Sequence, residues 1–163
     1  MELKSPKLQW LNSKTPFSKE YEDRYYSEDN PVEECKYVYL NSNGLPKRWI
    51  TSTEKRFIIA EIGFGLGLNF ILSANSHTDH EINKQLHYIA FEKSPPTKKQ
   101  VDKFFKSFPD LQKYIDHYYQ KKNSEFDRYE NGCSAMWNLT HNWGHLSVWD
   151  YEMLSKQLEI IGF

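Results

Sequence analysis

Two short apolar runs, each closed by an acidic residue, stand out in the pattern of hydrophobic and polar positions along the chain. Residues 57–60 lead into Glu61, and residues 86–91 lead into Glu92. Apolar runs of this length, without alternating polar residues, are typical of strands buried on both faces of a parallel sheet. The pattern therefore predicts two strands of one sheet, at 56–61 and 86–91.

Helical signals follow each predicted strand. Residues 68–76 predict a helix after the first, and Thr97 with Gln100 forms a capping box for a second helix that extends to about residue 108. Further elements are predicted after Pro109, in the order helix (109–122), strand (135–140), strand (145–149) and helix (152–161). Strand–helix–strand–helix order is the α/β signature, in which crossover connections make the strands parallel.

The first 55 residues have a different pattern. The β-rich run at 37–40, the turn signal Asn43-Gly44 and the run at 46–50 predict a β-hairpin. Residues 17–34 show no regular period and are interpreted as irregular. We expect two parts, an N-terminal extension with a β-hairpin at 1–55 and the main α/β fold at 56–163.

Composition narrows the class of protein. Hydrophobic residues make up 39% and charged residues 26% of the 163 positions, as in globular proteins. The net charge of −1 gives no overall basic field for nucleic acid. The two cysteines and six histidines lack metal-ligand spacing, and no apolar signal segment or membrane span is seen, so we expect a cytoplasmic protein without a metal or a membrane partner. Aromatic stacking on nucleobases through Tyr25, Tyr26 or Trp143 is considered, but core packing is favoured.

The segment between the first strand and its helix carries the candidate chemistry. Gly63, Gly65 and Gly67 follow Glu61 in the pattern G-x-G-x-G, where glycine permits a tight turn and a close approach by a ligand. The N–H groups opening the next helix are expected to be free for a negative group such as a carboxylate. Glu61 is suited to a ligand ammonium group, and Glu92 to the two hydroxyls of a ribose.

Other interpretations of this loop stay open. A pyrophosphate-binding dinucleotide fold has the spacing G-x-G-x-x-G, and an acid directly before the glycines would repel a pyrophosphate. A dinucleotide-dependent oxidoreductase is therefore the weaker hypothesis. A tight strand–helix turn that binds no ligand is the simplest alternative.

Several segments resemble the N-terminal methyltransferase domain of the bifunctional tRNA 5-methylaminomethyl-2-thiouridine biosynthesis proteins (MnmC type). They comprise the leader Tyr-Glu-Asp-Arg-Tyr-Tyr-Ser at 21–27, the run Glu-Glu-Cys-Lys-Tyr-Val-Tyr-Leu at 33–40, the loop Ala-Glu-Ile-Gly-Phe-Gly-Leu-Gly-Leu-Asn-Phe at 60–70, and the strand Leu-His-Tyr-Ile-Ala-Phe-Glu-Lys-Ser-Pro at 86–95. The resemblance extends from about residue 8 to about residue 133.

This resemblance implies S-adenosylmethionine as the methyl donor and a wobble uridine of tRNA as the acceptor, with methylation of an aminomethyl nitrogen. Carried over by position, it implies that the methionyl end of the donor is lined by Glu61, Gly63, Gly65, Gly67 and Asn69. Glu92 would hold the ribose with Lys93 beside it, and Asp150 is the nearest equivalent of an acid close to the adenine.

The chain also departs from the family pattern. The family segment Asp-Gly-Phe-Ala-Pro, which supplies an acid near the reacting amine, has no counterpart, so no catalytic residue is assigned. At about 30 residues per strand–helix unit, the main fold has room for three or four units, fewer than a complete doubly wound sheet. We therefore expect an incomplete Rossmann-like S-adenosylmethionine-dependent methyltransferase fold, truncated at its C-terminus. The alternative function is a non-catalytic remnant that retains at most donor binding.

Overall fold

The structure, a computed structural model, describes residues 4–80 and 84–111, and the backbone of residues 146–149. In these ranges the protein is a mixed α/β fold with two three-stranded sheets. The predicted elements at 112–122, 135–140 and 152–161 lie outside the described residues, as do Trp143 and Asp150. No helix within the described ranges is both long enough and apolar enough to cross a membrane.

The first sheet is antiparallel and is formed by the start of the chain. Strand β1 (Leu8–Leu11) pairs with β2 (Thr15–Ser18), and β2 pairs with the short β3 (Asp23–Arg24). The turn between β1 and β2 contains Asn12 and Ser13 with positive φ. The N-terminal extension thus contains a β-hairpin, but it lies about 30 residues before the predicted one.

Residues 31–43 and 47–51 are helical, with a turn between them, so the hairpin predicted at 37–50 is wrong. Helix α1 (Pro31–Cys35) continues as a π-helix (Lys36–Leu40) and a 3-10 turn (Asn41–Asn43), and α2 (Lys47–Thr51) follows. The side chain of Asn30 accepts a hydrogen bond from the N–H of Glu33 at 3.2 Å, and Pro31 occupies the first turn. These are helix-start signals. Gly44, with φ of 67°, ends this helical stretch as a left-handed cap rather than turning a hairpin.

The second sheet is parallel and follows the predicted order. Strand β4 (Arg56–Ile62) pairs with β5 (Gln85–Phe91), and β5 pairs with β6 (Leu146–Trp149). Helix α3 (Leu68–Asp79) connects β4 to β5, and α4 (Lys98–Phe105) follows β5. Both hydrogen bonds of the predicted capping box at Thr97 and Gln100 are present. Residues 109–111 are again helical, as expected after Pro109.

The two faces of the parallel sheet differ in burial. Ile59 pairs in register with Tyr88, and this face packs against α3, where the ring of Phe70 meets Tyr88 edge-on at 5.3 Å. On the opposite face, Ile58 and Ile62 are 59% and 92% exposed. The carboxyl ends of β4 and β5 meet at one edge, which is where Glu61 and Glu92 are placed.

Candidate functional site

The turn between β4 and α3 requires glycine at three positions. Gly63, Gly65 and Gly67 have φ values of 83°, 58° and 84°, in the left-handed region that L-residues avoid. A Cβ at Gly63 would meet no atom within 4 Å, so this stretch of backbone borders open space. The conformational role predicted for the three glycines is therefore present, and Gly63 offers a bare surface for a ligand.

The N–H groups of the loop itself already have partners. Those of Gly63 and Phe64 donate to the carbonyl oxygen of Phe91 at 2.9 and 3.2 Å, and that of Gly67 donates to Phe64 at 3.0 Å. The N–H groups of Gly65 and Leu66 donate to the side chains of Glu92 and Tyr26. The N–H groups of residues 63–67 are therefore not free for a carboxylate, whereas the expectation for the N–H groups that open the helix at residue 68 stays a prediction.

Glu92 lies across the glycine loop from the end of β4. One carboxylate oxygen accepts the N–H of Gly65 at 2.7 Å, and the other accepts the N–H of Ser94 at 2.8 Å. A carboxylate has about four acceptor positions, so these two bonds fix its orientation and leave capacity for two further donors. That arrangement suits a pair of vicinal hydroxyls.

Glu61 is held on the other side of the loop. Its two carboxylate oxygens accept hydrogen bonds from the Asn69 amide at 2.8 Å and from the Tyr88 hydroxyl at 2.9 Å. Burial raises the pKa of Glu61 to about 7, although both hydrogen bonds act in the opposite direction. Among the described residues, the buried amide oxygen of Asn69 has no hydrogen-bond partner. Glu61 and Asn69 thus present acceptor oxygens, one of them unused, as an ammonium group requires.

A cavity of about 650 Å³ lies beside the loop, within the usual range for small-molecule sites. One wall is formed by predicted site residues, namely Gly63, Gly65, Asn69 and Glu92. The facing wall comes from the N-terminal extension and includes Tyr25, Tyr26, Cys35 and Tyr39. No ligand role was predicted for the residues of that wall. The available signal was the aromatic pair within the leader segment 21–27.

A second cavity, of about 320 Å³, runs along β4 and is lined by Glu61, Tyr88 and Arg48. It adjoins the first cavity, because Tyr39, Gly63 and Asn69 line both. The acids that close β4 and β5 therefore face two neighbouring spaces rather than one. The 650 Å³ cavity contains Glu92, and the smaller one contains Glu61.

Two of the predicted site residues that the structure describes, Gly67 and Lys93, line neither cavity. The Lys93 ammonium points to the surface and donates a hydrogen bond to the Tyr21 hydroxyl at 2.9 Å. Asp150 lies outside the described residues. Within the described ranges no three metal-ligating side chains come together.

Comparisons with known proteins relate the sequence of this chain to the MnmC-type bifunctional proteins. No protein-family model matches the chain. The tRNA 5-methylaminomethyl-2-thiouridine biosynthesis bifunctional protein MnmC of Aliivibrio fischeri is 39% identical over 116 residues, and that of Vibrio campbellii is 37% identical over 120 residues. These matches cover 67% and 70% of this chain, which spans less than a fifth of each relative's length, 17% and 18%.

A solved structure shows the same fold. The crystal structure of MnmC2 from Aquifex aeolicus aligns over 99% of this chain and 47% of its own, with a TM-score of 0.57 and 16% identity. In sequence, this chain resembles part of the MnmC-type bifunctional proteins, which confirms the resemblance carried by its glycine loop and second strand.

Proposed function

We propose that this chain is part of an S-adenosylmethionine-dependent methyltransferase domain with a Rossmann-like fold, acting in the modification of the tRNA wobble uridine. The observation that carries the proposal is the 650 Å³ cavity that the glycine loop and Glu92, at the ends of two parallel strands, line together with the N-terminal extension. Ligands of open α/β sheets bind at this edge. The relatives' names supply the tRNA product, 5-methylaminomethyl-2-thiouridine.

The residues divide into two groups in this proposal. Glu92, already oriented by two backbone N–H groups, accepts hydrogen bonds from the ribose hydroxyls. Glu61 and Asn69 receive the ammonium of the methionyl group, which would give the unpaired amide oxygen of Asn69 a donor. Gly63 leaves room for the chain of the donor. The roles of Gly67, Lys93 and Asp150, and the division into residues 1–55 and 56–163, stay predictions.

The donor supplies an electrophilic methyl group on a sulfonium. In the transfer, the lone pair of a neutral aminomethyl nitrogen forms the new N–C bond, the C–S electron pair returns to sulfur, and the nitrogen then releases a proton. The contribution of the protein is to hold the two reactants in line and to exclude water. We assign no proton acceptor among the described residues.

A second candidate function is donor binding without methyl transfer. Ile58 and Ile62 leave one face of the parallel sheet exposed beside the loop, and parallel sheets are normally covered on both faces. The described residues thus do not enclose the site from that side. A chain of this kind would bind S-adenosylmethionine and leave tRNA unmethylated.

Titration calorimetry with S-adenosylmethionine and transfer of labelled methyl groups to tRNA lacking the modification test both candidates. The proposal predicts binding that weakens about tenfold in Glu92→Gln, because a charged hydroxyl acceptor is lost. Glu33→Gln, which alters an exposed carboxylate paired with Lys36, is the matched control. Binding together with labelled tRNA supports the methyltransferase, and binding alone supports the second candidate. Absence of binding refutes both.

A further inference from the structure

A segment of the N-terminal extension lies directly over the glycine loop. We call residues 21–27 the leader strap. A ring carbon of Tyr25 and the hydroxyl oxygen of Tyr26 each lie 3.3 Å from the point where a Cβ of Gly65 would be. The strap is fixed along its length, since the Tyr21 N–H donates to the Ser18 hydroxyl at 3.3 Å, the Tyr25 N–H to the Pro16 carbonyl at 2.9 Å and the Ser27 N–H to Glu34 at 2.8 Å. Its position over Gly65 is therefore part of the folded structure.

Tyr26 is directed into the protein. Its ring stacks on Phe104 with centroids 4.9 Å apart, and its hydroxyl accepts the N–H of Leu66 at 3.2 Å. Burial of the hydroxyl raises the pKa of the Tyr26 phenol. Tyr26 also contributes to the lining of the 650 Å³ cavity. The hydrogen bond from Leu66 to Tyr26 occupies one of the loop N–H groups. Tyr26 is thus a positioning residue for the loop.

Tyr25 has a different environment. Its ring is 6.4 Å from that of Tyr26 and tilted by 50°, and it lines the 650 Å³ cavity together with Gly65 and Glu92. Burial, with a smaller contribution from the Glu92 carboxylate, raises the pKa of Tyr25 to about 12, so the phenol is uncharged at neutral pH. An uncharged aromatic ring beside a ribose-binding carboxylate is suited to contact a nucleoside.

Lys93 connects the start of the strap to the strand that carries Glu92. Its ammonium donates to the Tyr21 hydroxyl at 2.9 Å and lies 5.5 Å from the centre of that ring. Lys93 therefore contacts the leader strap and does not line the cavity. This tie keeps Tyr25 and Glu92 on facing sides of one space.

We propose that Tyr25 is a ligand-contacting residue that forms the aromatic wall for the nucleoside half of the donor, with Tyr26 holding the loop beneath it. This inference rests on the proposed function, because it takes Glu92 as the ribose acceptor. The methionyl half extends in the other direction, past Gly63 to Glu61 and Asn69, so the half next to Tyr25 is the adenosine. Stacking of an aromatic side chain on a base is sequence-tolerant in protein–nucleic acid complexes and strengthens binding by about tenfold or more.

The test measures the affinity of S-adenosylhomocysteine by calorimetry for the full chain and two variants. Tyr25→Leu removes the ring but keeps apolar bulk, and we expect its affinity to fall about tenfold. Tyr25→Phe keeps the ring and is expected to stay within about threefold of the unchanged chain, because one hydroxyl hydrogen bond at most is lost. Tyr37→Leu is the matched control, since Tyr37 is 70% exposed and outside both cavities.

A second ligand identifies the half of the donor that is contacted. Tyr25→Leu should weaken 5′-methylthioadenosine, which lacks the amino and carboxylate groups, by the same factor as S-adenosylhomocysteine. If Tyr25→Leu does not fold, Tyr25→Trp replaces it, with quenching of the added indole by the bound purine as the readout and Tyr37→Trp as its control.

The outcomes separate the two proposals. Unchanged affinity in Tyr25→Leu, or an unquenched Tyr25→Trp, while the unchanged chain binds, overturns the role of Tyr25 and leaves the proposed function standing. A loss with S-adenosylhomocysteine but not with 5′-methylthioadenosine overturns the assignment to the nucleoside half. Absence of any binding by the unchanged chain overturns the proposed function and this inference together.

Discussion

The buried carboxyl group of Glu61 makes the protein less stable as the pH rises through neutrality. Its pKa in the folded protein is about 7, compared with the ordinary value of 4.5. Between these two values the folded state binds more protons than the unfolded state. The free energy of unfolding therefore falls with increasing pH across this window and levels off above pH 7.

The size of this effect follows from the shift. One pKa unit corresponds to about 1.4 kcal/mol, so the full penalty for ionised Glu61 is about 3 kcal/mol. Most of it, about 2–3 kcal/mol, develops between pH 5 and pH 8. Glu61→Gln removes the ionisation, and its amide oxygen can still accept from Tyr88. Its amide nitrogen can donate to the oxygen of Asn69 once the Asn69 amide is turned over, because the nitrogen of Asn69 faces position 61 in the unchanged protein.

Urea unfolding followed by tryptophan fluorescence at pH 5, 6, 7 and 8 measures this difference. We expect the stability of Glu61→Gln relative to the unchanged protein to increase by about 2–3 kcal/mol from pH 5 to pH 8. His77, whose pKa is lowered by burial, contributes a slope of the opposite sign, but it is present in both proteins and cancels. Glu33→Gln, at an exposed position, should follow the unchanged protein. Parallel profiles for Glu61→Gln and the unchanged protein would refute the reasoning.

Three further predictions concern the same region. If the donor ammonium binds the ionised Glu61, calorimetry should show that the affinity for S-adenosylmethionine rises roughly eightfold from pH 6 to pH 7.5. The affinity of Glu61→Gln should not change over this pH range. A pH-independent affinity in the unchanged chain would contradict the contact. Gly65→Ala should lower the free energy of unfolding by roughly 1–2 kcal/mol, because its φ of 58° is unfavourable for alanine and its Cβ would press on Tyr25; equal stability in urea would contradict this. Thr97→Ala should cost about 1 kcal/mol in the same assay through loss of the capping box with Gln100, compared with the milder Thr97→Ser, and no difference between the two would contradict the assignment.

The elements that the sequence predicted correctly are those with local signals. The apolar runs of β4 and β5, the glycines between β4 and α3, and the capping box of α4 are each contained in a few adjacent residues. Parallel pairing follows from the helical crossovers between the strands. The same signals placed Glu61 and Glu92 at one edge of the sheet, because both residues close strands that run in the same direction.

The hairpin predicted at 37–50 shows where local signals conflict. The β-rich run at 37–40 and Asn43-Gly44 favour a hairpin, whereas Asn30 and Pro31 favour a helix that begins a few residues earlier. The helix prevails, and it buries Cys35, Leu40 and Trp49 in the core. Burial against distant residues decided between two local preferences of similar strength.

The sequence by itself determined the strand–loop–helix unit, the two acids at the sheet edge and the resemblance to MnmC-type proteins. Only the tertiary structure decided how those parts are used. Tyr26 contacts Leu66 across 40 positions of the chain, and Lys93 contacts Tyr21 across 72. No local pattern encodes such contacts, because they depend on where the sheet and the extension meet. These two contacts occupy the N–H of Leu66 and hold Tyr25 beside Glu92. They thereby make the leader strap one wall of the candidate site.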